Sequence, residues 1–180
     1  MSLPDIALHS SHNVLCALKE KEIVIRYSDG SLLGLLRDGK FIEHDNDVDF
    51  DVLHSESAVY EIKNLAIRSK WKKVREVVYH NKVQQLTYID GSNVIYDFIF
   101  WIGNNDVLFN FSEKGYIRLM QSHFLISLVE KNISGLQIDV PVLAIEWLES
   151  RYGKAWNIPQ CSKGDWKEDC TDLYVAWWYK

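Results

Sequence analysis

Four aspartates recur at every second position in one short stretch of this chain: Asp45, Asp47, Asp49 and Asp51. Because successive side chains of a β-strand point to opposite faces, a strand here would place all four carboxylates on one face. Carboxylates two residues apart on a strand lie roughly 7 Å from each other and repel by on the order of 2 kcal/mol at an effective dielectric of about 20. Such oxygen-rich rows bind Mg²⁺, Mn²⁺ or Ca²⁺. The spacing therefore predicts a divalent cation site and favours phosphate chemistry.

A further aspartate, Asp97, interrupts an otherwise apolar run from Val94 to Phe100. An unpaired charge inside such a strand is costly, so this carboxylate requires either a metal ion or an arginine partner. Both alternatives are open at the level of sequence. The first of them makes Asp97 a third metal ligand, contributed by a second strand.

A glycine turn precedes the acidic stretch. Gly30 and Ser31 follow a β-branched run at 23–27 and open a short helix expected over 31–37. A helix N-terminus presents free N–H groups and a positive dipole end, which favour phosphate, and the Ser31 hydroxyl can donate to a phosphate oxygen. Arg37, about two turns further on, can bind phosphate through two N–H donors. The ordinary alternatives are a simple turn at Gly30-Ser31 and a surface cation at Arg37.

The elements that must position these residues follow from the hydrophobic periodicity and the turn residues. The expected helices are 4–21, 31–37 and 55–70, and the expected strands are 23–27, 47–53, 73–80, 83–89 and 94–100. A hairpin over 124–140 should turn at Ser134-Gly135, and Pro141 should open a last helix that ends near Gly153. This order predicts an α+β fold, a small mixed β-sheet flanked by helices. We expect residues 1–160 to form a single domain with the Trp-rich tail, 161–180, packed on it.

The composition narrows the class of protein. The chain has 180 residues, of which 47% are hydrophobic, and a formal net charge of -5. Its lysines and arginines are scattered, which argues against non-specific nucleic-acid binding, because that affinity comes mainly from phosphate neutralisation. No segment reaches the roughly 18 apolar residues of a membrane span, and the first residues lack an export-type apolar run. We therefore expect a cytoplasmic protein with no nucleic-acid partner and no membrane span.

Taken together, the motifs resemble the LicD family, to which the fukutin-related proteins are distantly similar. The segments that carry the resemblance are Gly30-Ser-Leu-Leu-Gly34-Leu-Leu-Arg37, Phe41-Ile42, His44-Asp45-Asn-Asp47-Val-Asp49, Asp97-Phe98-Ile99, Val140-Pro141, Tyr152-Gly153, Trp156 and Pro159. They extend over residues from about 25 to 160. Glu43-His44 and Asn46 depart from the family's usual Pro-Trp and Asp, and the first of these changes affects the acceptor side of the site.

The resemblance implies a nucleotidyltransferase-like fold and a metal-dependent phosphotransferase. A phospho-alcohol, either phosphocholine or an alditol phosphate, would pass from CDP-choline, CDP-glycerol or CDP-ribitol to a glycan hydroxyl, and CMP would leave. This is the chemistry of cell-surface glycan modification. The implied catalytic residues and ligands of Mg²⁺ or Mn²⁺ are Asp47, Asp49 and Asp97, with Asp45 as a spare ligand. The implied phosphate-binding residues are Gly30, Ser31 and Arg37.

Three alternatives compete with this interpretation. Asp45, Asp47, Asp49, Asp51 and Glu56 fit positions 1, 3, 5, 7 and 12 of an EF-hand loop, but Phe50 occupies position 6, where the sharp turn requires glycine. A nucleotidyltransferase that modifies protein or RNA would use the same acids. A catalytically silent member of the fold is the third alternative, and the intact acids argue against it.

Overall fold

The computed structural model describes residues 3–43, 45, 47–112, 116–159 and 173–175. Within these residues the helices are α1 (Leu3–Lys19), α2 (Asp29–Asp38), α3 (Glu56–Arg68), α4 (His123–Ile126) and α5 (Ala144–Tyr152). The strands are β1 (Ile25–Tyr27), β2 (Asp47–Leu53), β3 (Lys72–Tyr79), β4 (Lys82–Ile89), β5 (Ile95–Gly103), β6 (Val107–Phe111), β7 (Tyr116–Gln121), β8 (Leu128–Ile133), β9 (Leu136–Pro141) and β10 (Leu173–Val175).

A mixed sheet organises the fold. Its first part has the strand order β1-β2-β5-β4-β3, in which β2 and β5 are parallel and the other neighbours are antiparallel. The far end of β5 pairs with β6, which continues through β7 to β10. Strands β8 and β9 form a separate hairpin. The predicted α+β architecture, a mixed sheet flanked by helices, is confirmed.

One face of the sheet is the hydrophobic core. The rings of Tyr27, Phe50 and Phe98 stack across three neighbouring strands with successive centroids 5.2 Å apart. Helix α1 packs on this face, where Ser11 Oγ and Tyr27 Oη share a hydrogen bond of 2.9 Å. Because side chains alternate along each strand, the apolar residues between the aspartates of β2 point into this core and the aspartates point away from it.

The opposite face carries the charged residues, and half of it is covered. Asp51 is fully buried there, with its Oδ2 2.6 Å from Arg26 Nη2. Trp101 Nε1 donates to the other oxygen of Asp51 at 2.6 Å. The guanidinium of Arg26 lies 4.6 Å from the ring centroid of Trp147 in α5. Asp51 therefore shares the face of Asp47 and Asp49, as expected, but its charge is paired with Arg26.

Helix α3 shows how the local sequence sets an element boundary. Ser55 is its N-cap, and the Oγ of Ser55 accepts a hydrogen bond of 3.0 Å from the backbone N–H of Ala58. This bond satisfies one of the donors that the first turn of a helix leaves without an intrahelical partner. The helix predicted over 55–70 is confirmed.

The C-terminal half differs from the expectation in several places. Pro141 ends β9 and does not open a helix, and α5 begins three residues later, at Ala144. The hairpin predicted over 124–140 starts with the short helix α4, so its first strand begins at Leu128. Strands β6 and β7 occupy a region for which we predicted no element. The EF-hand alternative is wrong, because residues 47–53 form a strand that is paired on both edges.

The predicted packing of the Trp-rich tail, 161–180, lies outside the described residues except for β10, whose backbone pairs with β7. Among the described helices, none combines the length and the apolar character that crossing a bilayer requires.

Candidate active site

Three carboxylates meet on the open half of the charged face. Asp49 of β2 and Asp97 of β5 are direct partners in the parallel pairing, and Asp47 lies two residues before Asp49 on the same face. One oxygen from each residue lies within 4.8 Å of one from each of the others. The two strands therefore bring together the acids that the sequence singled out, and the third acid does come from a neighbouring strand.

Burial and repulsion from neighbouring acids raise the pKa values of all three carboxylates of this triad. Burial and the neighbouring Asp45 raise the pKa of Asp47 to about 7. Burial, followed by the charge of Asp47, raises the pKa of Asp49 well above its ordinary value, and burial also raises the pKa of Asp97. Carboxylates held this close in a sheltered position favour the protonated form unless a cation joins them.

The buried arginines of the described structure do not supply that cation. Arg26 is paired with Asp51, while Arg118 and Arg151 are paired with Asp29. The alternative in which Asp97 is a salt-bridged core acid therefore has no buried arginine to support it. Three carboxylates that offer hard oxygen atoms within this spacing fit a divalent metal ion.

Asp45 lies between the triad and the glycine turn, next to Asp47 and Gly30. Its side chain shares a hydrogen bond with Asp47. A Cβ added to Gly30 would collide with Asp45 Oδ2, so any larger residue here requires the Asp45 carboxylate to move. The role of Asp45 as a spare ligand stays a prediction.

Ser31 connects the glycine turn to β2 through a hydrogen bond. Its Oγ accepts a hydrogen bond of 3.0 Å from the backbone N–H of Asp49, and the carbonyl of Asp49 accepts one of 2.9 Å from the N–H of Ser28. Because the Ser31 oxygen acts as the acceptor here, its own hydroxyl proton can be donated elsewhere. The turn and the triad are thus held in a fixed relation.

A buried ion cluster at the base of the turn was not predicted as part of the site. Asp29 Oδ1 accepts hydrogen bonds from Arg118 Nη2 at 3.0 Å and from Arg151 Nε at 2.8 Å, and its Oδ2 accepts one from Arg118 Nη1 at 3.2 Å. Burial alone would raise the pKa of Asp29, but the two arginines outweigh it and hold the pKa well below its usual range. The partners are remote in the sequence, so no local signal could have revealed them.

Comparison with known proteins agrees with the geometry. A family model described as the LicD/FKTN/FKRP nucleotidyltransferase domain matches residues 25–142. The chain belongs to the LicD family. No match is found among curated protein sequences. Two solved structures resemble this LicD protein in fold, each at 15% sequence identity.

One of them is the lincomycin-bound lincosamide antibiotic adenylyltransferase LnuA, with a TM-score of 0.52 over 72% of this chain and 76% of that chain. The other is the solution structure of the antibiotic-resistance factor ANT(2'')-Ia, with a TM-score of 0.50 over 87% of this chain and 75% of that chain. The nucleotidyltransferase-like fold is thereby confirmed. This LicD protein is a transferase, and its fold supports a nucleotide-linked donor.

Two residues of the LicD-like motif have local structural explanations. A Cβ on Gly34 would lie 2.7 Å from the carbonyl oxygen of Lys40 and 2.9 Å from the N of Ile42, so glycine lets the following loop pack against α2. Arg37, in the last turn of α2, donates from Nε and Nη2 to Asp38 at 3.0 and 2.7 Å. The phosphate-binding role of Arg37 stays a prediction, and it requires this hydrogen-bonded pair to open.

Proposed function

We propose that this LicD-family protein is a metal-dependent phosphotransferase that moves a phospho-alcohol from a CDP-linked donor to a glycan hydroxyl and releases CMP. The observation that carries the proposal is the Asp47, Asp49 and Asp97 triad, which lies beside a glycine turn that is hydrogen-bonded to the same strand. Carboxylates and free helical N–H groups are the two parts that a pyrophosphate-binding transferase needs, the first for metal and the second for phosphate.

The three carboxylates would hold Mg²⁺ or Mn²⁺, with Asp45 as an additional ligand. Such an ion, when bound, offsets the charge of the donor pyrophosphate during an in-line displacement. The N–H groups at Gly30 and Ser31, together with the Ser31 hydroxyl, would orient the donor phosphates. Arg37 would join them after releasing Asp38.

The proposed reaction is a displacement at phosphorus. The acceptor hydroxyl oxygen forms a bond to the phosphorus that carries the alcohol, and the bond from that phosphorus to the CMP oxygen breaks. The hydroxyl proton passes to Asp97, which lies on the side of the triad away from the glycine turn, and CMP leaves with the bonding electrons. Asp97 is already oriented, because the Thr87 hydroxyl donates a hydrogen bond to Asp97 Oδ1.

A CMP-release assay tests the proposal. CDP-choline, CDP-glycerol and CDP-ribitol are each incubated with the full chain, a glycan acceptor and Mg²⁺ or Mn²⁺. Asp47→Asn and Asp49→Asn should lower the rate at least about 100-fold, since each removes a charged ligand from the metal site. Asp106→Asn, which changes an exposed aspartate, is the control. Equal rates for all variants would contradict the site.

A second candidate is transfer of a nucleotide to protein or RNA, and it is favoured by the fold that this chain shares with an adenylyltransferase. The two activities differ in the leaving group. Nucleotidyl transfer from a nucleoside triphosphate releases pyrophosphate and labels the acceptor with the nucleotide, whereas the proposed reaction releases CMP. Measuring both products in one reaction mixture separates them.

A further inference from the structure

The open half of the charged face extends beyond the triad to the hairpin of β3 and β4. Direct cross-strand partners point to the same face, and the register gives two rows of them. In the first row Arg75 of β3 is opposite Thr87, which is opposite Asp97, which is opposite Asp49. In the second row the partners are Lys72, Ile89, Ile95 and Asp47. Two cationic side chains therefore share a face with the metal-binding acids.

A β-bulge in β3 determines which cations of this strand face the triad. Strict alternation along β3 would place Lys73 and Arg75 on the same face, but the register shifts by one residue between them. As a result Lys73 points to the other face, where its Nζ lies 2.7 Å from Glu76 Oε2, and Lys63 of α3 lies 2.6 Å from the other oxygen of Glu76. Arg75 is thereby turned to the face of Asp97. Both Lys72 and Arg75 are exposed.

The cations lie on the side of the triad that is opposite the glycine turn. The turn is next to β2 on the side of β1, whereas β3 is two strands beyond Asp97 in the other direction. Two strand spacings are about 10 Å, a distance that an arginine side chain and a small anionic group can bridge together. The charge of Arg75 already acts on Asp97, where it opposes the effect of burial on the pKa.

We propose that Lys72 and Arg75 bind an anionic group, a phosphate or a carboxylate, on the acceptor. This inference rests on the proposed function, in which the glycine turn and the triad hold the donor pyrophosphate. The donor phosphates then need no further cations on the far side of Asp97. Arginine matches phosphate and carboxylate with two parallel N–H donors, and lysine adds a point charge. The acceptor hydroxyl would lie over Thr87 and Asp97, between the anionic group and the donor.

Binding of small charged sugars tests this proposal without requiring turnover. The probes are N-acetylgalactosamine 6-phosphate and glucuronic acid, each compared with its uncharged counterpart, N-acetylgalactosamine and glucose. The full chain with Mg²⁺ is titrated with each probe, and the backbone amide signals of β3 and β4 are followed by NMR. We expect a charged probe to shift these signals at concentrations where its neutral counterpart does not.

The variants provide the matched comparison. Arg75→Gln should weaken binding of the charged probe about tenfold, and Lys72→Gln should weaken it several-fold, because each removes a charge-assisted contact. Lys73→Gln removes the same charge from the same strand but from the opposite face, so it should stay within about twofold of wild type. Arg75→Lys should restore part of the affinity. Thermal unfolding of each variant confirms that the hairpin is folded.

Three results would overturn the inference: equal binding of charged and neutral probes, equal weakening by Lys73→Gln, or weakening of CDP-donor affinity by Arg75→Gln in place of the probe. Preference for the sugar phosphate identifies a phosphate group on the acceptor, and preference for glucuronic acid identifies a carboxylate. Absence of CMP release with every CDP donor would instead reject the proposed transfer reaction, so the two failures are distinguishable.

Discussion

Two aspartates of one strand, Asp49 and Asp51, show how partners decide the role of a carboxylate. Both lie on the charged face of the sheet, but Asp51 is paired with Arg26 and bonded to Trp101. Asp49 has acidic neighbours, and their charges add to the effect of burial in raising its pKa. The aspartate at position 51 therefore stabilises the fold through an ion pair, whereas the aspartate at position 49 requires a bound cation to remain ionised.

At the residue scale, Gly30→Ala should impair the metal site without unfolding the protein. The new Cβ would collide with the carboxylate of Asp45, which would displace the spare ligand or the turn. We expect Mn²⁺ affinity, measured by calorimetry, to fall about tenfold, which corresponds to about 1.4 kcal/mol. Gly91→Ala is the matched control, because a Cβ there meets nothing within 4 Å. Unchanged Mn²⁺ affinity in Gly30→Ala would contradict the contact with Asp45.

At the scale of elements, the start of α2 is fixed from outside the helix. Asp29 receives arginines from β7 and α5, while Ser31 is bonded to β2. Three other elements thus define the position of the glycine turn, which has no side-chain cap of its own. The turn is rigid for this reason, and preorganised N–H donors are what phosphate binding requires.

Asp29→Asn should destabilise the protein by about 3 kcal/mol at pH 7, because it leaves two buried arginines without their carboxylate. The pKa of Asp29 in the folded protein lies below the ordinary value of about 3.9, so its contribution is fully present above that value and is lost as the pH falls below it. Urea unfolding at pH 7, 5 and 3 should therefore show the difference from wild type shrinking in acid. A difference that does not depend on pH would contradict the ion pair.

Ser55→Ala should destabilise α3 by about 1 kcal/mol, since it removes the hydrogen bond to the N–H of Ala58. Ser57→Ala is the control, because Ser57 lies inside the helix and is exposed. Urea unfolding of the two variants measures the difference, and equal midpoints would show that the cap contributes nothing.

The sequence was informative where a local pattern determines the structure. The alternating acids of β2 and the helical span of α3 are local features, and each was predicted. Strands β6 and β7 bury the polar residues Asn110 and Arg118 and expose the apolar residues Val107 and Leu119. Their hydrophobic pattern therefore does not follow their burial, and they were missed. The bulge in β3 could not be predicted either, because it depends on how β3 pairs with β4. Without the bulge, nothing in the sequence distinguishes Arg75 from Lys82 or Arg118 as a ligand-binding cation.

At the scale of the whole molecule, the triad couples metal binding to stability. Joining three carboxylates through one cation relieves the repulsion between β2 and β5, so the metal should stabilise the folded chain. At a free Mn²⁺ concentration 100 times the dissociation constant, the gain is about 2.7 kcal/mol. Thermal unfolding with and without Mn²⁺ measures this shift. Asp49→Asn should lose most of it, while the control Asp106→Asn should keep it; an equal shift in both variants would contradict the triad as the metal site.

The parallel pairing of β2 with β5 has a consequence for the newly made chain. The whole of α3 and the β3–β4 hairpin lie between Asp49 and Asp97 in the sequence, so these two residues meet only after a long loop has closed. Contacts of this kind form late, because the entropy of loop closure must be overcome before they contribute. A chain in which β2 and β5 have not yet paired therefore lacks the full set of ligands, so binding of the ion should report that this pairing has formed.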